Sequence, residues 1–306
     1  MSSVFGPVTL ICNARAGRGG VAKCLPEIEE HLKKRDLEYE VRYTEGRGDA
    51  TRIAREAIHS GSRFLAAVGG DGTLHEVVNG MIENDRAINP EAVFGVVAAG
   101  TGSDFIKTFG IPAMPGHAVA HLDGNESFPI DIGKITYMEN GKETVRYFAN
   151  IAQVGIGAEV VDRASRLPRW LGPTVYLVAF WLAVRKYKAS GVEVDLVDRT
   201  YEGRMNNMVV ANGQFFGGGM KVAPKAAPTD GVLDIQIDHT AKKEALSMIQ
   251  KVHKGTHVPH PQIEEAKRVK VSIDGKSPLL IEADGEVLGR TPATFELLKE
   301  LLNLKV

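Results

Sequence analysis

Only two cysteines occur in 306 residues, Cys12 and Cys24. They offer neither a disulfide framework nor metal-ligand spacing. Cys12 lies in an apolar run and Cys24 among helix-forming residues, so both read as reduced packing groups. No sign of charge dominates: 37 Lys and Arg face 38 Asp and Glu, a formal net charge of -1. That balance excludes a strong global field toward nucleic acid, and no nucleic-acid partner is expected. No run approaches the roughly 18 apolar residues of a spanning helix. The opening Met-Ser-Ser-Val-Phe-Gly-Pro lacks the basic segment and apolar stretch of a secretory signal. A cytoplasmic location is expected. The Walker pattern G-x-x-x-x-G-K-[ST] is also missing, which argues against a P-loop fold.

What is present is a globular composition, 43% hydrophobic and 25% charged, at a length that suggests two domains. The first part alternates strand and helix signals. Val8 to Cys12, Phe64 to Val68 and Phe94 to Ala99 are short apolar strands, and Tyr39, Val41 and Tyr43 alternate as a half-exposed one. Val21, Leu25, Ile28 and Leu32 recur at helical spacing. Asp49 is the expected N-cap of a helix from Ala50 to His59, and Leu74 to Ile82 reads as another helix. This alternation predicts an open, mostly parallel α/β sheet.

After about Gly124 the pattern changes. Segments such as Ile130 to Ile135, Arg146 to Val154, Val192 to Val197, Met205 to Ala211, Val232 to Ile237, Val269 to Ile273 and Leu279 to Ala283 alternate in polarity. Asn140-Gly141, Asp230-Gly231, Asp274-Gly275 and Asp284-Gly285 punctuate them as turns. A mainly antiparallel β domain is expected, with helical insertions near Pro173 to Lys188 and Ala241 to Lys254. The insertion around Val175 to Val184 is almost wholly apolar and flanked by Arg163, Arg166, Arg169, Arg185, Lys186 and Lys188. It is expected to be mainly a buried helix. Its sharper reading is a helix that lines an acyl-chain cleft while its basic flanks meet anionic headgroups. His253, His257 and His260 are separated by Gly255 and Pro259, which breaks a common helical face; a solvated loop is expected there rather than a metal site.

Three glycine-rich turns follow strands of the first domain: Asn13 to Gly20, Gly69-Gly70-Asp71-Gly72-Thr73, and Gly100-Thr101-Gly102-Ser103-Asp104. Loops at the carboxyl ends of parallel strands line the ligand crevice. Glycines there let backbone amides approach phosphate oxygens, and a following helix start attracts anions. Nucleotide phosphates are the expected ligand. Gly17-x-Gly19-x-x-Ala22 also fits a Rossmann variant, but leaves the other two loops unexplained.

Gly69-Gly70-Asp71-Gly72-Thr73, continued by Glu76, Val77, Asn79 and Gly80, resembles the diacylglycerol kinase catalytic signature shared by sphingosine, ceramide and bacterial lipid kinases. NAD kinases and phosphofructokinases carry a shorter related version. Thr44 through Ala50 resembles the segment closing over the adenosine, and Ile130-Asp131-Ile132-Gly133, Asp230 through Asp234 and Asp284-Gly285-Glu286 resemble later signatures. Ala14 stands where the family usually has Pro, and Ser103 where it often has Asn.

The resemblance implies domains at 1–126 (nucleotide-binding) and 127–290 (β-rich, lipid-substrate), with 291–306 packing back on the first. It implies ATP held by Asn13, Gly17, Thr44, Gly69, Gly70, Asp71, Gly72, Thr73, Glu76, Gly100 and Thr101. Asp284, Glu286 and Asp71 become the candidate catalytic carboxylates. Asp230 with the carbonyls of Ala227 and Val232 would hold Mg²⁺, with Asp131 joining through waters; a second Mg²⁺ arrives with ATP. The implied acceptor is a lipid alcohol, diacylglycerol by default, met by transient contact with the inner membrane face; a homodimer stays open. The alternatives are an NAD-kinase-like enzyme of a soluble substrate and a non-catalytic nucleotide sensor. The extended motif and the apolar stretch stand against the first, and the retained carboxylates against the second.

Overall fold

The computed structural model describes residues 3–14, 20–99, 103–113, 119–168 and 174–306. The chain forms two units, Met1–Ile132 with Leu298–Val306, and Gly133–Leu297. It passes between them twice, along strands whose ranges are given below.

In the first unit, β1 (Val8–Cys12), β2 (Tyr39–Tyr43), β3 (Phe64–Gly69) and β4 (Val93–Ala98) alternate with α1 (Gly20–Lys33), α2 (Asp49–His59) and α3 (Asp71–Met81). All pairings are parallel in the order β2-β1-β3-β4. β1, β3 and β4 are buried along their whole length. That explains why they read as unbroken apolar runs rather than alternating ones. The helices bury one face each. In α2 that face is Ala50, Ile53, Ala54, Ala57 and Ile58, at helical spacing. Gly80 of α3 makes the α2 crossing tight: a Cβ there would lie 2.5 Å from the Thr51 carbonyl and 2.6 Å from the Ala54 Cβ. Helix α4 (Phe105–Phe109) follows the third glycine turn.

The second unit is antiparallel. β5 (Ser127–Glu139) enters it and pairs with β6 (Lys142–Phe148) across Asn140-Gly141, whose φ angles of 52° and 79° suit the tight two-residue turn. The remaining elements are β7 (Ile151–Gly155), α5 (Ile156–Arg166), α6 (Val175–Lys186), β8 (Ser190–Asp195), β9 (Thr200–Met205), β10 (Asn207–Ala211), β11 (Leu233–Asp238), α7 (Ala245–Lys254), β12 (Ile263–Arg268), β13 (Lys270–Gly275), β14 (Leu280–Ala283) and β15 (Glu286–Lys305). One run orders as β12-β11-β10-β7-β14-β15 and a second as β9-β8-β13-β15. Their inner faces share a core that includes Phe148, Val194, Met208, Ile235, Ile273 and Phe295. Burying each such side chain contributes about 1.5–3 kcal/mol.

β15 leaves the second unit and its last residues join the first-unit sheet, Asn303 and Leu304 pairing in parallel with Val93 and Phe94 of β4. There Lys305 is fully buried. Its ammonium donates to the carbonyls of His121, Asp123 and Val306 at 2.8, 3.0 and 3.0 Å. Burial pulls its pKa down.

Several expectations need correction. The cap of α2 is Gly48, in the left-handed region at φ 86°, while the Asp49 carboxylate accepts the amides of Glu45 and Gly46. Helix α3 begins at Asp71, before its first apolar residue, because the glycine turn runs directly into the helix. The expected strand Arg146 to Val154 is two strands, broken at Ala149-Asn150. Helix α6 is not mainly buried: Ala179 and Ala183 are, but Tyr176, Leu177, Trp181 and Leu182 are exposed. His257 is buried rather than solvated, its Nε2 3.1 Å from Gln236 Oε1, and burial lowers its pKa. Cys12 is buried in β1, and burial pushes its thiol up to about 12, which makes it inert.

Candidate active site

In the first unit the glycine turns stand at the carboxyl ends of β1, β3 and β4, and backbone hydrogen bonds carry the parallel ladder into them. Asn13 N donates to Val68 O, Thr44 N to Cys12 O, and Ala99 N to Gly69 O. Asn13, Thr44, Gly69, Gly70, Asp71, Gly72, Thr73 and Glu76 therefore belong to one edge of one sheet and the helix that leaves it. Gly17, Gly100 and Thr101 lie outside the described residues. Gly70 caps α3, and Gly69 has no room for a side chain: a Cβ would lie 2.5 Å from Thr73 Oγ1. The start of α3 attracts anions.

The two acidic residues of this motif are occupied within the unit. Asp71 accepts the amides of Asp104 (2.9 Å) and Phe105 (3.2 Å), and so ties the second glycine turn to the third. Glu76 places Oε1 on the Gly48 amide (2.8 Å) and Oε2 on the Ala50 amide (3.0 Å), satisfying donors at the start of α2. The longer motif thus combines a turn with helix-anchoring residues: Glu76 fixes α2, and Gly80 lets it approach.

In the second unit Asp284 and Gly285 form the tight turn from β14 to β15, with φ angles of 50° and 89°. The Asp284 carboxylate is 4% exposed and accepts three amides: Ala149 on Oδ2 at 3.0 Å, Asn150 and Ile151 on Oδ1 at 3.0 and 3.1 Å. It closes the break between β6 and β7. Glu286, half-buried, opens β15. Two residues before Asp284, Glu282 is fully buried. Burial, outweighing its bonds from Gln153 and Gly285, pushes its carboxyl up to about 8, with Asp284 and Glu286 adding to the rise.

Ala227, Asp230 and Val232 lie together on the loop into β11. Asp230 Oδ1 accepts the Val232 amide (3.3 Å), and Ala227 O accepts those of Thr229 and Asp230. A carboxylate with carbonyls is a hard oxygen set that suits Mg²⁺. Lys267 competes for it, its ammonium 2.8 Å from Asp230 Oδ2 and 3.1 Å from Asp234 Oδ2. Asp131 is in the first unit, buried, and accepts the Glu300 amide at 2.8 Å. Among the described residues no group of three or more His, Cys, Asp or Glu side chains is placed to hold a metal ion.

The second unit holds a cavity of about 660 Å³, and α6, predicted from its sequence to line an apolar cleft, contributes Tyr176, Leu177, Phe180 and Val184 to its lining. Its apolar wall includes Val160 and Val161 of α5, Phe180 of α6, Met220, and Met248 and Val252 of α7. Gln153 and Asn207 are among the polar residues of its lining. The available signal for α5 was its ion pairs one turn apart, Glu159–Arg163 and Asp162–Arg166. Helices α5 and α6 are neighbours in the chain, while α7 and the strand and loop residues that complete the lining come from distant parts of it.

Comparison with known proteins agrees with this anatomy. Residues 7–135 match the diacylglycerol kinase catalytic domain, and residues 150–306 match the YegS C-terminal NAD kinase beta sandwich-like domain. A diacylglycerol kinase of Staphylococcus epidermidis is 30% identical over 288 residues, covering 94% of this chain and 87% of its own. A probable lipid kinase YegS-like of Xanthomonas oryzae pv. oryzae is 30% identical over 270 residues, covering 86% and 84%. A crystal structure described as that of a diacylglycerol kinase from Bacillus anthracis str. Sterne shares the fold, with a TM-score of 0.72 at 22% identity over 99% of this chain and 97% of that one. With a catalytic-type domain matched at one end and a YegS-type β domain at the other, this chain belongs to the diacylglycerol kinase family of lipid kinases.

Proposed function

We propose that the chain transfers the γ-phosphoryl group of ATP to a lipid hydroxyl, with diacylglycerol as the first substrate and phosphatidic acid as its product. The observation that carries this reading is the 660 Å³ cavity of the second unit, sized and lined for an apolar chain. An NAD-kinase-like reading would need a polar pocket for a second nucleotide.

Phosphoryl transfer works by positioning and charge. The start of α3, with the turns around Asn13 and Thr44, would hold the nucleotide phosphates, and the Asp71 bonds to Asp104 and Phe105 would keep two loops in register while it binds. The Asp284-Gly285-Glu286 turn would supply the carboxylate that orients the attacking hydroxyl and takes its proton. Mg²⁺, arriving with ATP, would neutralise phosphate charge. A second ion would sit on Asp230 and the Ala227 and Val232 carbonyls.

The same reading puts the protein in the cytoplasm, touching the inner membrane face through α6. Leu177, Trp181 and Leu182 are exposed there, and Arg185 and Lys186 end the helix. Among the described residues no helix is long and apolar enough to cross a membrane. An aromatic residue with basic neighbours suits a headgroup layer. Flotation with vesicles should show more binding when phosphatidylglycerol is included, and Trp181→Ser should weaken it. Equal binding of both proteins to neutral and anionic vesicles would remove the contact.

The deciding experiment incubates the purified protein with radiolabelled ATP, a Mg²⁺ titration, and a panel of dioleoylglycerol, sphingosine, ceramide, an isoprenoid alcohol and NAD. Labelled phosphatidic acid is expected. Labelled NADP alone would replace the reading with the soluble-substrate one, and no label in any acceptor would leave a nucleotide sensor.

A further inference from the structure

One chain of hydrogen bonds in the second unit runs from the cavity wall to the Asp284 turn. The Gly157 amide, at the start of α5, donates to Asn207 Oδ1 at 2.9 Å. Asn207 Nδ2 donates to Gln153 Oε1 at 2.9 Å. Gln153 Nε2 donates to Glu282 Oε1 at 2.9 Å, directly across the β7–β14 pairing. From the other side the Gly285 amide, inside the turn, donates to Glu282 Oε2 at 3.1 Å. Glu282 is fully buried, and Gln153 and Asn207 are 6% and 9% exposed.

The direction of this chain is fixed. Both ends are backbone N–H groups, which only donate. Flipping either amide would set donor against donor at one link. Glu282 is the one member that accepts from both sides, one oxygen to each, whereas an amide has a single oxygen. Gly157 is part of the fit: a Cβ there would lie 2.2 Å from Gln153 Oε1. The charged groups near Glu282 are Asp284 and Glu286 on its own hairpin. Strand β7 brings no titratable side chain, and the α5 charges pair among themselves as Glu159–Arg163 and Asp162–Arg166.

We infer that Glu282, Gln153 and Asn207 form a positioning relay, which couples occupancy of the apolar cavity to the placement of the Asp284-Gly285-Glu286 turn. Gln153 and Asn207 stand in the cavity wall, so a chain filling the cavity presses on one end of the relay. The Gly285 amide is the other end. Its consequence for turnover rests on the lipid-kinase reading above; the coupling itself does not.

The donor order supplies the test. Glu282→Gln alone leaves one link with donor facing donor, and Gln153→Glu alone places two carboxylates together. In the double variant Glu282→Gln/Gln153→Glu the new amide at 282 accepts from Gly285 and donates to the new carboxylate at 153, which still accepts from Asn207. Every link is restored, and only the one between positions 153 and 282 has its polarity reversed. Turnover of dioleoylglycerol in mixed micelles should fall roughly tenfold or more in each single variant, with KM for ATP unchanged, and return to within about threefold in the double, the coupling expected of contacting residues. Hydrogen exchange at Gly285 is read on the same proteins with and without oleate as the cavity probe. Oleate should slow it in the wild type and the double variant and have no effect in the singles. Equal response in all four proteins, or a double variant no better than the singles, overturns the relay. The exchange pattern without lipid phosphorylation by the wild type would uphold the relay and overturn the lipid-kinase reading.

Discussion

At the scale of single residues, the carboxylates divide by what they hold. Asp71 holds two loop amides, Glu76 two helix-start amides, and Asp284 three amides at a strand break. A residue can anchor and also act in catalysis, and substitution separates the two. Asp284→Asn keeps the size of the side chain but turns one acceptor oxygen into a donor facing an amide. It should destabilise the protein by about 1–3 kcal/mol for the lost acceptor. If Asp284 is also the base, turnover should fall about a hundred- to ten-thousand-fold while ATP affinity holds. Asp71→Asn should disturb nucleotide binding and turnover together, since it loosens two glycine turns at once. Thermal melts, ATP titration and turnover on Asp71→Asn, Asp284→Asn and Glu286→Gln separate these roles. Near-normal turnover by folded Asp284→Asn, with a steep loss in Glu286→Gln, would move the base to Glu286.

At the scale of elements, the α2–α3 crossing is a tightly packed point. Gly80→Ala should lower the melting temperature by an amount matching about 1–3 kcal/mol of overpacking, because the atoms it meets include the Thr51 backbone. A melt unchanged within error would show that the helices move apart freely. This crossing also shows what the sequence made legible. Strands buried on both faces announce themselves as apolar runs, so β1, β3 and β4 were readable at nearly their true ends. Glycine turns marked the carboxyl edge of this sheet for the same local reason. Helix α6 departs from the expected burial because an apolar stretch states that a surface avoids water, not what covers it. The Glu282 relay was hidden for a different reason. Its members lie on three strands and become neighbours only through cross-strand register, which nothing within ten residues of any of them encodes. His257 failed in the same way, its partner Gln236 lying on another element.

At the scale of the whole molecule, stability should carry the mark of Glu282. Its carboxyl is raised in the folded protein from an ordinary value of 4.5 to about 8. The folded state therefore holds the proton over a window where the unfolded chain has released it. Unfolding free energy falls as pH rises through that window, and the loss is complete above about 8. The slope is at most about 1.4 kcal/mol per pH unit. Denaturant melts from acid to alkaline pH should show this decline in the wild type relative to Glu282→Gln; parallel curves would place the carboxyl near its ordinary value. The route of the chain has a further consequence, for synthesis on the ribosome. The second unit is continuous, from Gly133 to Leu297, whereas the first needs Leu298–Val306 beside β4. Until those residues emerge, β4 presents an unpaired edge to any other strand, and the pocket for Lys305 has three carbonyls and no ammonium. The nascent protein thus finishes its later-made unit before its earlier one. Chaperone dependence, and loss of yield on truncation, should concentrate in that interval.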